Sequence, residues 1–217
     1  MSISSLRRAL KRLGFCWKRV RKSLRSKRNQ EEFERVKAEI EELVEKHKRG
    51  ELELYFFDQS GFSLQSSVPY AYQEKGFNIE IPSTKSKRLN VLGMISPTLD
   101  FKSMLYEGNI NSEIVMDTID DFIKYKRAKT RMIIVLDNSS LHHSDDFEEK
   151  RFEWELRGVE LKFLPSYSPE LNKIEILWRF IKYQWLPFSA YGNIKQLSDE
   201  LCEVLRGIGN KYQITFG

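Results

Sequence analysis

The stretch "RMIIVLDNSS" at 131–140 decides the architecture. Met132 to Leu136 are five apolar residues in a row, without polar alternation, and they run straight into Asp137. A run of that kind reads as a strand covered on both faces, which a parallel sheet with helices on either side requires. Upstream, Leu52–Phe57 predicts a strand running into Asp58, and polar, glycine-containing sequence follows to about residue 76. Further strands are expected at 77–82, 88–96 and 101–106, the last two joined through a turn at Pro97–Asp100. Asn111 or Ser112 caps a helix that carries Val115, Ile119, Phe122 and Ile123 on one face. Downstream come a charged helix over 144–157 broken by Gly158, a short strand Val159–Leu164, and a turn-rich loop from Pro165 to Asn172. A helix over 173–186 follows, with Ile174, Leu177, Trp178, Ile181 and Trp185 as its buried stripe, and a last helix spans 194–207. Trp178 and Trp185 are read here as core residues, not as platforms for stacked bases.

Strands first and alternating helices and strands afterwards give an α/β chain with a mixed sheet flanked by helices, the element order of a ribonuclease H-like fold. Ahead of it, residues 4–13 read as a short helix capped by Ser4 or Ser5, with Leu6, Leu10 and Leu13 on one face and Gly14 at its end. The stretch to Asn29 reads as linker. Residues 31–48 form a second helix with Phe33, Val36, Ile40, Leu43 and Val44 on one stripe, closed by Gly50. This gives a basic arm at 1–30, a linker helix at 31–50 and a catalytic domain at 51–217.

Charge is divided unevenly along the chain. Residues 1–28 hold eleven basic side chains and no acidic one, while the other 189 residues hold 25 basic and 31 acidic. A polycationic arm on a mildly acidic body suits a polyanion, with phosphate neutralisation and counterion release supplying affinity. Arg7, Arg8, Lys11, Arg12, Lys18 and Arg19 are the candidate DNA contacts. The two cysteines, Cys16 and Cys202, form no CxxC pair, which excludes a disulfide scaffold and a zinc–cysteine site. No signal peptide and no apolar run of about 20 residues is evident, so a soluble, cytoplasmic protein without a membrane partner is expected.

Three carboxylates stand at similar structural punctuation: Asp58 and Asp137 after apolar strands, Glu175 in the first turn of the helix behind the Pro-rich loop. In open sheets with helical crossovers, ligand sites gather at the carboxyl ends of strands. Phosphodiester cleavage needs an activated nucleophile and charge stabilisation on the attacking and leaving oxygens, and a pair of hard cations supplies both. Mg²⁺ or Mn²⁺ takes oxygen ligands and keeps several waters, so a few carboxylates suffice. Each acid also has a plain structural reading. Asp58 can open an Asx turn, Asp137-Asn138 can be turn chemistry, and Glu175 can steady its helix N-terminus or pair with Arg179.

The surrounding blocks choose between these readings. "FFDQSGF" (56–62), "VLDNSSLHHS" (135–144) and "LPSYSPELNKIEILW" (164–178), in that order, resemble DDE transposases of bacterial insertion sequences in the Tc/mariner superfamily. "YAYQEKG" (70–76) and "RLNVLGMIS" (88–96) extend the resemblance over roughly 50–215, and "LRRALKRLGFCWKR" (6–19) is similar to the last helix of that family's second helix-turn-helix. By motif, the resemblance makes Asp58, Asp137 and Glu175 the catalytic, metal-holding triad for two Mg²⁺ or Mn²⁺ ions, with Asn138 and His142 as accessory positions. It implies metal-dependent cleavage of transposon-end DNA and strand transfer by cut-and-paste at TA. The implied partner is double-stranded DNA, held by a homodimer in a bacterial or archaeal nucleoid.

Departures from the family pattern are Gln59 in place of a second acid, Lys173 in place of Pro, and 37 residues between the last two acids, slightly more than the resemblance implies. Most of the family's N-terminal helix-turn-helix region is also expected to be missing. Tyr167 and Ser168 are candidates for the DNA backbone or for packing, and Lys85, Lys87 and Arg88 for the backbone or a solvated hairpin. Two rival functions stand beside the transposase: a non-catalytic DNA-binding remnant, and another ribonuclease H-like nuclease such as a resolvase.

Overall fold

Hydrogen bonding joins β1 (Glu53–Phe62), β2 (Leu89–Ile95), β3 (Phe101–Glu107), β4 (Met132–Leu136) and β5 (Val159–Phe163) into one sheet of order β3-β2-β1-β4-β5. The architecture is that of a computed structural model describing residues 2–16, 25–65, 67, 72, 75, 78, 80, 88–126, 130–139 and 144–216. β1, β2 and β3 form an antiparallel meander, whereas β4 and β5 add in parallel on the other side of β1. Antiparallel neighbours need only turns, but each parallel step needs a crossover helix. Those crossovers are α3 (Ser112–Lys126) and α4 (Asp145–Leu156). The remaining helices are α1 (Ile3–Arg12), α2 (Gln30–Lys48), α5 (Ile174–Phe180) and α6 (Ile194–Arg206).

Side-chain alternation sorts the core into two layers. Leu54 and Phe56 of β1 with Ile133 and Val135 of β4 face α2, α5 and α6. Tyr55 and Phe57 with Met132, Ile134 and Leu136 face α3 and α4. The five-residue apolar run of β4 is therefore buried throughout because both faces are covered. The chain's caps set the helix boundaries. Asn29 accepts the Glu32 N–H at the start of α2, Asn111 accepts the Ile114 N–H before α3, Ser144 accepts the Phe147 N–H before α4, and Asn193 accepts the Gln196 N–H before α6.

Several expectations are corrected. Ser2, not Ser4 or Ser5, caps α1, accepting the N–H of Ser5. Leu6, Leu10 and Leu13 do form a stripe, but all three are exposed. The first strand does not stop before Asp58: it continues to Phe62, because β2 goes on pairing with it through Leu89. The helix expected over 173–186 is α-helical only to Phe180 and continues as a π-helical turn over Ile181–Trp185, where the Leu186 N–H reaches back to the Ile181 carbonyl. Trp185 is only partly buried. Most of the strand expected at 77–82 lies outside the described residues. Among those residues no helix is long and apolar enough to cross a membrane.

The end of α2 is tied to the sheet by His47. Its Nδ1 accepts the Leu54 N–H at 3.2 Å, and Nε2 lies 3.3 Å from Thr98 Oγ1. An accepting Nδ1 requires the neutral ring, and burial holds the His47 pKa below its ordinary 6.5. Because the folded-state value is depressed, this contribution is complete above pH 6.5 and is lost as pH falls through the folded value. Denaturant unfolding of the wild type between pH 7.5 and 5.5 is expected to show this loss, and His47→Gln to show a shallower dependence over the same window. Identical slopes for the two proteins would remove His47 from the account.

Candidate active site

The parallel ladder between β1 and β4 ends at the pair Phe56–Val135. Continuing that register two residues sets Asp58 level with Asp137, the first residue after β4. Alternation carries both onto the face occupied by Leu54, Phe56, Ile133 and Val135, which is the face that α5 covers. α5 brings Glu175, and Asp58, Asp137 and Glu175 line one open cleft whose far wall is the Pro165–Pro169 loop and Asn172. The structure thus brings together the three acids that the sequence separates by up to 117 positions. Asn138 lines the cleft as well, while His142 lies outside the described residues.

Two residues hold Asp58 in place. Trp178 of α5 donates its indole N–H to Asp58 Oδ2 at 3.0 Å. Asp58 pairs across the ladder with Gly93 of β2, and a Cβ built on Gly93 would lie 2.7 Å from the tip of the Trp178 ring. The missing side chain at position 93 is what lets the indole reach the carboxylate. Trp178, expected as core, is buried and meets Phe62 and Phe101 edge-to-face, but its polar end serves the acid.

The electrostatics are those of crowded negative charge. Burial first, and then Glu175 and Asp137, push the Asp58 carboxyl up to about 7, against the Gln59 N–H and the Trp178 indole that favour its charged form. Glu175 is raised too, chiefly by the protein packed around it and further by Asp137, with Lys182 opposing; its side chain keeps contact with solvent, which tempers the push. Lys182, half-buried with its Nζ 5.2 Å from the Phe62 ring centre, is lowered by burial and stabilised by Glu175 and Asp58. It was not singled out from the sequence. The signal is helical spacing: Glu175, Arg179 and Lys182 stand at i, i+4 and i+7, opposite the apolar stripe Ile174–Leu177–Trp178–Ile181. Arg179, Lys182 and Tyr183 line a second groove that shares Asn172 and Glu175 with the cleft.

Other candidates fall outside the cleft. Gln59 alternates onto the opposite face and donates to Asn90 Oδ1, so it does not stand among the acids. Lys173 lies with its Nζ 5.8 Å over the Phe216 ring, and the charges acting on it are Glu41 and Lys48 of α2. Tyr167 lines the cleft, exposed and in the left-handed region at φ 61°, whereas Ser168 is buried and donates to the Ser166 carbonyl. Arg7, Arg8, Lys11 and Arg12 are exposed on α1; Lys18, Arg19, Lys85 and Lys87 lie outside the described residues. Arg88 lies across Gly61 of β1 and acts on Lys182. Arg28 bonds Glu170 at 2.5 Å and stacks over Phe33, joining the arm's end to the loop before Glu175.

Among the described residues the acids share a cleft without closing into a group of three that would grip one ion unaided. Their chemistry nevertheless fits Mg²⁺ or Mn²⁺: hard oxygen donors, few in number, lining an open cleft with room for retained water. Gly93→Ala is expected to displace the indole, to cost about 1–3 kcal/mol of unfolding free energy as an over-packed site, and to weaken Mn²⁺ binding. Calorimetric titration and denaturant unfolding check both, and an unaltered metal affinity would separate Trp178 from the site.

The pattern of the DDE superfamily endonuclease family matches residues 53–198. No curated protein matches the chain. Among solved structures, the Mos1 transposase paired-end complex with the left transposon end is similar at 16% identity and TM-score 0.61, covering 94% of this chain and 62% of that one. The Mos1 mariner paired-end complex with Mn is similar at 16% identity and TM-score 0.62, covering 95% and 64%. The Mos1 mariner catalytic domain is similar at 13% identity and TM-score 0.52, covering 88% and 85%. These likenesses show the ribonuclease H-like fold, and this chain spans about three-fifths of the length of the paired-end transposase chains.

Proposed function

Because this chain belongs to the DDE superfamily endonucleases, we propose that it is a transposase that cleaves transposon-end DNA with divalent metal and joins the freed end to target DNA. The observation that carries this reading is the single cleft lined by Asp58, Asp137 and Glu175, opening onto a groove that bears Arg179 and Lys182. The three acids hold the metal, two Mg²⁺ or Mn²⁺ ions in our reading. When bound, such ions supply an activated water and neutralise charge on the attacking and leaving oxygens.

The chain's own residues do the rest. The Trp178 indole fixes one oxygen of Asp58, so the carboxylate meets its ligand in one orientation. Lys182 and Arg179 attract the phosphates that flank the scissile bond, and Tyr183, exposed beside them, offers an aromatic face to a base. Hydrolysis adds water across the phosphodiester, leaving a 3′-hydroxyl and a 5′-phosphate. The 3′-hydroxyl then attacks a target phosphodiester in line, forming one P–O bond as the target's 3′-oxygen leaves, with no covalent protein intermediate. The basic arm at 1–30, including Arg7, Arg8, Lys11 and Arg12, adds sequence-independent affinity.

The Mos1 paired-end complex with the left transposon end and the Mos1 strand transfer complex support carrying transposon-end binding and strand transfer to this chain, while cut-and-paste chemistry and a homodimer rest on the motif resemblance. The motif blocks support the bacterial insertion-sequence branch and a TA target. Asp137→Asn is expected to reduce Mn²⁺-dependent cleavage of DNA carrying the element's ends to background while leaving DNA binding intact; wild-type cleavage rates in that variant would sink the triad assignment. Binding without cleavage by the wild type itself would favour a DNA-binding remnant. Lys182→Ala is expected to flatten the slope of log affinity against log salt by about 0.9, the loss of one phosphate contact. An unchanged slope would place Lys182 off the DNA path.

A further inference from the structure

The loop that precedes Glu175 turns on Asn172, which is 3% exposed. Its N–H donates to the Pro169 carbonyl at 3.0 Å, and its carbonyl accepts the Glu175 N–H at 3.1 Å. Its side-chain Nδ2 donates to the carbonyl of Phe57, the residue before Asp58, at 2.9 Å. A carbonyl only accepts, so this contact settles which end of the amide faces β1. One atom is left over. Asn172 Oδ1 is buried and has no hydrogen-bond partner.

Folded proteins leave few buried acceptors unmade, because each forfeits its hydration without return. Asn172 lines the acid cleft, in the company of the three acids. Asp58, Asp137 and Glu175 accept when ionised, and the Ser168 hydroxyl already donates to the Ser166 carbonyl. The other donor-bearing side chains of the lining, Asn138, Ser166 and Tyr167, make no hydrogen bond to Asn172 Oδ1. A hydrated divalent ion brings several donors, since its coordinated waters are polarised and direct their hydrogens away from the metal.

We propose that Asn172 is a positioning residue of the metal site, bracing the strand of Asp58 to the turn of Glu175 and accepting through Oδ1 a hydrogen bond from the hydration shell of the bound ion. The inference rests on the reading that these acids hold metal. It assigns to Asn172 the outer-shell role by which side chains orient ligands and tune affinity without touching the ion.

Mn²⁺ titration followed by the electron paramagnetic resonance of the free ion tests it, with melting of each metal-free variant recorded in parallel. Asn172→Ala is expected to weaken Mn²⁺ binding about tenfold. Asn172→Asp loses the donor to Phe57 but keeps an acceptor and adds charge, so it is expected to bind Mn²⁺ at least as tightly as the wild type while melting lower. A merely structural strut would make both variants alike, weaker in binding and in melting. Unchanged affinity in Asn172→Ala, or Asn172→Asp binding no better than Asn172→Ala, overturns the proposal. Should Asn172→Ala not melt cooperatively, Asn172→Ser takes its place with the same expectation. A wild type that binds no Mn²⁺, matching Asp137→Asn, overturns the metal reading itself, whereas normal wild-type binding with an indifferent Asn172 overturns this inference alone.

Discussion

Four parallel residue pairs, Glu53–Met132 through Phe56–Val135, set where the two aspartates of the site stand. A slip of one residue in either strand would turn its aspartate from the α5 face to the α3–α4 face, since strand side chains alternate with period two. Both faces resist the slip. Phe56 and Val135 are buried in one layer, Tyr55 and Ile134 in the other, so a shifted register would drive apolar side chains into the wrong packing on both sides at once. The same constraint explains why Asp58 needs no strand end to reach the cleft. Its strand runs on beside β2, but the parallel partner stops at Leu136, and the vacated flank is where the cleft opens.

On that frame the site is electrostatically uncomfortable. Asp58 is half-buried close to two other acids, and desolvation and their charge push its carboxyl up to about 7. The sign matters: a carboxyl raised in the folded state costs stability as pH climbs through its range, and whatever favours the charged form restores it. The Gln59 N–H and the Trp178 indole do part of this, and half-buried Lys182 adds a distant cation. A divalent ion bound only by the folded chain would do more, coupling metal binding to stability. Strain of this kind belongs at functional sites, and the left-handed Tyr167 in the cleft wall is a second instance.

Much of this was legible in the sequence, and the failures have physical causes. The apolar run 132–136 and the helix stripe from Ile174 carry the fold, because covered strands and amphipathic helices leave periodic marks, while the three acids are singled out by the motif blocks around them. The sequence pattern ends β1 at Asp58 because a polar residue after an apolar run reads as a stop, whereas Asp58 is a half-buried strand residue facing a cleft. Trp178 was read as core from its spacing, which is true of its position and blind to the reach of its N–H. Gly93 carries its meaning only through the indole that crosses it, and no local pattern encodes a residue kept small by a helix 85 positions away. Lys182 is legible in the sequence as the residue i+7 from Glu175, on the polar complement of the apolar stripe.

The division of charge along the chain then acquires a reason. Three carboxylates in one cleft repel a phosphodiester, so the site cannot draw DNA by itself. Attraction has to come from elsewhere, and the chain puts cations at its margins: the exposed bases of α1, Arg88 across Gly61, Arg179 and Lys182 along the adjoining groove. A metal ion inverts the sign at the centre, since a bound divalent cation is the largest local charge in such a site. On the function proposed above, the acids serve two ends through one ligand. They make the cleft inhospitable to phosphate until metal is present, and attractive once it is, so in our reading substrate engagement waits on the ion that the chemistry also requires. Arg28, bonded to Glu170 and stacked on Phe33, fixes the basic arm's end beside the loop that leads to Glu175, which keeps the source of attraction close to the acids it must overcome.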